Sequence, residues 1–462
     1  MLCKNYYNRL DSASGHFDIS SFITYLNWKF EDGDTEYLAK ISTILHEQSH
    51  FHQIIGTSYG HFLTDLQDLW VSQLILSVKG AIKNSSLYPN IPTPISKWLK
   101  KESNSFSIWL LESVLKLVDS CKYLHSISLE GGTKKDFESF KENYEYLINI
   151  KLLLSKQYNW FISEKNKLTD YEVNFEGEEW FGAREIMELQ SQLFQLFFLE
   201  QHIGKDFNYE LNPFIKDLIL NSTPESTKNV YQKLRRAIED ENSKILKVIS
   251  NYINLDSMDS IATIMALCDL SLMPAIGKYQ DVNTFMPRII DILPGFRFAQ
   301  ALIVINKKNI LLDSQFNNYH KFIETICIDN STRWPNPQWL SKKIIKYRQV
   351  YNNYGNNLDH KAVFDWQVKA SLIRQEKPHI FVYLNELELR TQLSQPYVYY
   401  QDHLIENATI EETASIFYRF LSYLTAKVLV EGVGAIEEYS FVPSIDYFVK
   451  MKFKRELGIN LN

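Results

Sequence analysis

The chain has 462 residues, a net charge of −6 and a pI near 6.0. Hydrophobic residues make up 45%, charged residues 23% and aromatic residues 14%, which excludes a disordered chain and fits a folded globular protein. No extended basic stripe appears along the chain. Lys342, Lys343 and Lys346, and Lys450, Lys452, Lys454 and Arg455, read as solvated helix faces, so no nucleic-acid partner is expected.

Cys3, Cys121, Cys268 and Cys327 are scattered, with no CxxC pair. That is neither a disulfide framework nor a cysteine zinc site, and it fits a reducing cytoplasm. Met1 to Gly15 lacks the apolar run of a signal peptide. The most apolar stretches, Leu193–Leu199 and Ile261–Ile276, are short or interrupted by Asp269 and Pro274, so buried helices are expected rather than membrane spans.

In chain order, Phe17–Phe30 reads as one or two strands closed by the turn Glu31-Asp32-Gly33-Asp34. Thr35–Ile55 reads as a helix capped by Asp34 or Thr35, with Leu38, Ile41 and Leu45 on one face. Further helices are expected at Phe62–Ile82, Ser107–Val118, Lys135–Leu154, Gly182–Ile203, Pro224–Asn251 (capped by Thr223), Ser257–Leu272 and Thr409–Val430. Pro89–Pro94 reads as a turn, and Gly131-Gly132 and Asn352–Asn357 as loops. Asp329–Pro337 is the best candidate linker. It would divide residues 1–335 from a C-terminal helical region, 336–462, which could also be part of the same domain. Sparse glycine and proline favour a mainly α chain with a small β element ahead of the Thr35–Ile55 helix.

That helix carries His46-Glu47-Gln48-Ser49-His50. A four-residue spacing puts both imidazoles on one helix face, about 40° apart around the axis. Two nitrogens so placed can share a tetrahedral Zn²⁺. Glu47 beside them can take a proton from a water that the metal acidifies. Gln53 and Thr57 fall near the same face if the helix continues, where they could orient a ligand or substrate or simply cap and solvate it. His52 points away, and His61 is not favoured as a ligand. An oxyanion stabiliser is expected, with Tyr59, His61 and Tyr439 all open as candidates. The metzincin extension HExxHxxGxxH is absent, because Gln53 and Gly56 stand where Gly and His would be needed.

A hydrolytic zinc site needs a third protein ligand. No histidine is suitably placed, so a glutamate followed three residues later by a small residue is expected. Glu188 precedes Ser191 on a helix that turns strongly apolar, where a buried carboxylate would need a partner. Its competing reading is an exposed Arg184–Glu188 pair. Glu431, beside Gly432 and Gly434, and Glu411, in a first helical turn, are the other candidates, both more readily explained as helix-end residues.

At His46–His50 the chain resembles the HExxH zincin metallopeptidases, and its glutamates make it similar to the gluzincin branch. The string Leu45–Gln53, with Thr57, Tyr59 and Gly60, also resembles uncharacterised bacterial HExxH proteins. Those tend to carry a downstream Gly-Ala…Glu-x-x-small segment like Gly182–Ser191. These two short segments are the extent of the resemblance. It implies a multi-helical zincin-like metallopeptidase with zinc on His46, His50 and Glu188, Glu47 as base, and a protein or peptide substrate. The spacing to Glu188 is longer than in better-known gluzincins. Two other expectations stand beside it: a non-catalytic helical scaffold or partner-binding protein with a structural or coincidental motif, and a zinc enzyme acting on a non-peptide amide or ester. No membrane partner is expected, and no regulatory partner can be named.

Overall fold

The computed structural model describes residues 15–19, 22–26, 37–154, 179–202, 243–255, 257–274, 292–329, 334, 336–342, 344–345, 358–382, 397–400, 403–405, 410–439, 442 and 444–461. The described chain is mainly helical. Two strands, β1 (Gly15–Asp18) and β2 (Ile23–Leu26), precede helix α1 (Tyr37–Gly56) and α2 (Ser58–Asn84). The short α3 (Ile95–Leu99) leads to α4 (Ser105–Glu130), β3 (Gly131–Thr133), α5 (Lys134–Leu154) and β4 (Glu179–Phe181). Then follow α6 (Ala183–His202), α7 (Ser243–Ser250), α8 (Met258–Ser271), α9 (Pro294–Lys308), α10 (Tyr319–Asp329) and α11 (Leu358–Glu376). Strands β5 (Tyr397–Tyr400) and β6 (His403–Ile405) come before α12 (Ile410–Glu431) and α13 (Ile445–Lys452).

The expected β element is present as an antiparallel β1–β2 pair, with Phe17 opposite Thr24. The sheet is larger than the sequence indicated. β2 continues into a parallel pairing with β5, Ile23 opposite Tyr397, giving the order β1-β2-β5-β6. Rings fasten this sheet to the helices. Phe17 and Phe22 stand edge-on to Phe51 of α1 at 5.9 and 6.4 Å, and Phe51 stands edge-on to Trp366 of α11 at 5.5 Å. Such edge-to-face contacts add to the burial of four large rings.

Two differences from the expected elements have clear physical causes. Gly131-Gly132 is not a loop but the core of β3, which pairs with β4. Helix α4 runs on past Val118 to Glu130, because Cys121, Leu124 and Ser128 keep one face buried at helical spacing. The Asp34/Thr35 cap, the Thr223 cap, the 224–242 part of the Pro224–Asn251 helix, the 352–357 loop and most of the 329–337 linker lie outside the described residues. So do the side chains of Leu38 and Ile41, while Leu45 is buried as expected.

Among the described residues the main hydrophobic core runs from Phe17 to Leu461 and draws on residues either side of position 335, with a small separate cluster of Met273, Leu340 and Ile344. Helix α8 sits at its centre, buried from Ser260 to Ser271. Asp269, which interrupts the apolar run in the sequence, is buried there against Arg374 of α11. The guanidinium donates to both its carboxylate oxygens at 2.7 and 2.9 Å. Tyr319 of α10 donates to Asp269 at 3.1 Å, and Arg374 Nε donates to the Gly56 carbonyl at 3.1 Å. Gly56 ends α1, so this buried pair also satisfies a carbonyl that the helix end would leave open. The C-terminal part of the chain thereby holds the end of the motif-bearing helix.

Candidate metal centre

Helix α1 stops at Gly56, and Thr57 starts α2 as its cap. The Thr57 hydroxyl accepts from the Gly60 N–H at 3.0 Å and donates to the Gln53 carbonyl at 2.6 Å. A Cβ at Gly60 would lie 2.3 Å from the Ile54 carbonyl oxygen, so only glycine allows so tight a turn between the two helices. Thr57 therefore belongs to the turn and not to the face that carries His46 and His50.

Glu188 lies on α6, and the approach of α6 is set by the chain before it. β4 pairs with β3 and brings residues 179–181 to the end of α4. At Gly182 a Cβ would fall 1.8 Å from the Leu129 carbonyl oxygen, so the backbones touch there as no other residue would permit. Arg184 pairs with Glu130 at the end of α4, not with Glu188. Leu189, Leu193 and Phe197 of the same helix are buried.

The outcome is a convergence of three side chains. His46 Nε2 lies 3.0 Å from Glu188 Oε2 and 3.0 Å from His50 Nε2, and His50 Nε2 lies 3.5 Å from Glu188 Oε1. His46 and Glu188 are 142 residues apart in sequence. Among the described residues this is the one group of three His, Cys, Asp or Glu side chains whose ligand atoms converge to within 4.8 Å. Four ligands held about 2.0–2.1 Å from a tetrahedral zinc lie roughly 3.4 Å from one another. The observed separations bracket that spacing, and two imidazoles with one carboxylate are a donor set of catalytic zinc sites. The residues present therefore fit a zinc ion.

The two imidazoles are nearly enclosed, with 15% and 12% of their side chains exposed, whereas Glu188 is 40% exposed. Burial of this carboxylate is thus less complete than the apolar helix implied. It sits at the rim, and the cluster opens on its side. Partial burial raises the Glu188 carboxyl, but His50 and His46 outweigh it and hold it well below the usual range. Burial lowers His50, yet the charge and hydrogen bond of Glu188, with Glu47 and Gln53 adding, bring it up to about 9. Glu47 is 5% exposed. Burial pushes its carboxyl up, against His46 and His50 and with Glu188, while a hydrogen bond from the backbone of Phe17 in β1 opposes the rise.

The surroundings divide the remaining candidates. Gln53 Oε1 meets His50 Nδ1 at 2.9 Å. His52 packs against Phe51 and Phe381, away from the cluster. Tyr59 is fully buried and donates to Ser128 at 2.8 Å, and His61 is fully buried with Nε2 on the Ile55 carbonyl. Tyr439 is buried against Phe420, with Lys427 over its ring. All three oxyanion candidates are thus engaged inside the core. Glu431 is exposed at the end of α12 and pairs with Lys122 at 3.0 Å, which removes it from the ligand candidates. The side chain of Glu411 lies outside the described residues. Sequence reasoning missed Phe17, whose backbone reaches Glu47; a backbone donor leaves no mark in residue type.

Comparison with protein-family models finds no matching family, and comparison with curated proteins and with solved structures finds no match. In the C-terminal basic cluster Lys450 pairs with Asp446 of its own helix, whereas Lys452 is buried rather than on a solvated face and pairs with Glu456 just beyond the helix. Among the described residues no helix is long and apolar enough to cross a membrane.

Proposed function

We propose that this chain is a zinc-dependent metallopeptidase, zincin-like in its site, with His46, His50 and Glu188 as metal ligands and Glu47 as general base. The observation that carries the reading is the arrival of Glu188, from a separate helix, at ligating distance from both histidines of the motif. A coincidental motif would have no reason to recruit a distant carboxylate to its open face.

Bound there, Zn²⁺ would supply a Lewis acid that polarises a substrate carbonyl and makes water acidic near neutral pH. The protein's own part is proton handling and placement. Glu47 takes a proton from the attacking water on its carboxylate and delivers it to the nitrogen of the leaving amine. Its enclosed position, with the carboxyl pushed up by burial, suits a group that must both accept and return a proton. Phe17 fixes its orientation through the backbone of β1. β1 is the outer strand of the described sheet, and its Phe17 backbone N–H is the one that reaches this base. Three buried free thiols, Cys121, Cys268 and Cys327, support a reducing, cytoplasmic setting.

The test is metal analysis joined to substitution at the base. Purified protein should carry about one zinc per chain and cleave peptides from a fluorogenic library. Glu47→Gln should keep the metal and lose cleavage. Unimpaired cleavage by Glu47→Gln would sink the mechanism, and a metal-free protein indifferent to added zinc would favour the scaffold reading.

A further inference from the structure

Gln53 makes more of the metal centre than its place outside the ligand set implies. Its side-chain nitrogen lies 3.0 Å from the Met187 carbonyl oxygen and 2.8 Å from Gln190 Oε1. A backbone carbonyl can only accept, so the amide has one possible orientation: Nε2 toward α6, Oε1 toward His50. The Gln190 amide is oriented in the same way, because its own nitrogen donates to the Met265 carbonyl of α8 at 3.3 Å. Two amides in series are thus oriented by main-chain carbonyls. At the end of the series, Gln53 Oε1 can only accept, and the atom it meets at 2.9 Å is His50 Nδ1.

We propose that Gln53 is the positioning residue of the cluster: it keeps the proton of His50 on Nδ1, leaves Nε2 as the ligating nitrogen, and ties α1 to the helix that carries Glu188. The proposal rests on the zinc-site reading above. Its physical content is that the hydrogen bond on one ring nitrogen decides which nitrogen binds metal and how the ring is turned. Gln53 performs this with a neutral amide. Glu188 is then the sole anion among the ligands and their first partner, and the loaded site keeps a net positive charge toward an incoming carbonyl. The same amide holds the two ligand-bearing helices in register before any metal arrives, through its bonds to Met187 and Gln190.

The acceptor and donor roles can be separated. Gln53→Met keeps the bulk and removes both. Gln53→Glu keeps the acceptor toward His50 and removes the donor toward α6. Zinc affinity is measured by competition with a chromophoric chelator, and the visible spectrum of the Co²⁺-loaded protein reports ligand geometry without any activity assay. Thermal unfolding of the metal-free proteins reports the tie between helices. Gln53→Met should bind zinc roughly 10- to 100-fold more weakly than wild type, with an altered Co²⁺ spectrum. Gln53→Glu should recover most of that affinity and the wild-type spectrum, while both variants unfold at lower temperature. If Gln53→Met binds zinc as wild type does, or if Gln53→Glu is as weak as Gln53→Met, the positioning role is overturned and only a structural tie is left. A wild-type chain that binds neither Zn²⁺ nor Co²⁺ overturns the metal-site reading itself, a result distinct from either.

Discussion

Replacing Arg374 with methionine tests whether the end of the site helix is held from the C-terminal part of the chain. The guanidinium and Asp269 are 0% and 1% exposed, and their contacts are 2.7 and 2.9 Å. Methionine would leave Asp269 buried with only the Tyr319 hydroxyl, and would deprive the Gly56 carbonyl of its donor. Breaking a buried pair from one side typically costs about 3–5 kcal/mol, mostly as the penalty of the stranded charge. For a chain of this length the unfolding entropy is roughly 1 kcal/mol per kelvin, so a cost near 4 kcal/mol lowers the midpoint by about 4 °C. Calorimetry at pH 7 would read this directly. The double variant Arg374→Met with Asp269→Asn removes the stranded charge and keeps an acceptor for Tyr319, so it should recover a large share of the loss. Two results would refute the reasoning: a single variant within about 1 kcal/mol of wild type, or a double variant whose losses merely add.

Three further expectations follow from the same geometry. Because Glu188 and its neighbours raise His50 to about 9, the metal-free site holds a proton at pH 7 that zinc must displace. Zinc affinity should therefore rise close to tenfold per pH unit up to about pH 9, and calorimetric titration in buffers of different ionisation heat should show about one proton released; a flat profile would contradict this. Gly182→Ala should prevent the close approach of α6 to Leu129, costing about 3 kcal/mol or more and weakening zinc binding, read by thermal shift with and without metal. Glu102 is raised by burial but drawn down further by hydrogen bonds from Ser85, Ser86, the Asn104 backbone and Trp98, so its carboxyl sits below the usual range. A lowered carboxyl stabilises the fold above its unfolded pKa and loses that contribution as acid protonates it. Glu102→Gln should then cost about 2 kcal/mol at pH 7, with the gap to wild type closing below about pH 4.

The sequence carried the parts of this molecule that depend on near neighbours. A four-residue histidine spacing is a property of one helical turn, and α1 holds His46 and His50 as that spacing requires. Glu188 leads Glu431 already in the sequence, because a carboxylate on an apolar helix needs a partner, but the contact that occupies Glu431 depends on the chain path. Lys122, the partner of Glu431, is 309 residues away from it. The pairing of β2 with β5, the Gly131 strand and the Asp269–Arg374 bond likewise join distant segments through backbone or single contacts, and these leave no periodic trace. Thr57 takes the capping role, one of its two readings, for a local reason: the Gly60 turn ends α1 just where a continued helix would have carried it onto the site face.

The Arg374 bond to Gly56 also has a meaning in time. It spans 318 residues. A ribosome adding about 5–20 residues each second would take roughly 15–60 s to cover that distance. Throughout that interval the Gly56 carbonyl lacks its Arg374 donor, and for the first part of it Glu188 has yet to be made. The last fastening of the helix that carries His46 and His50 is thus made late in synthesis, well after Glu188 has left the ribosome.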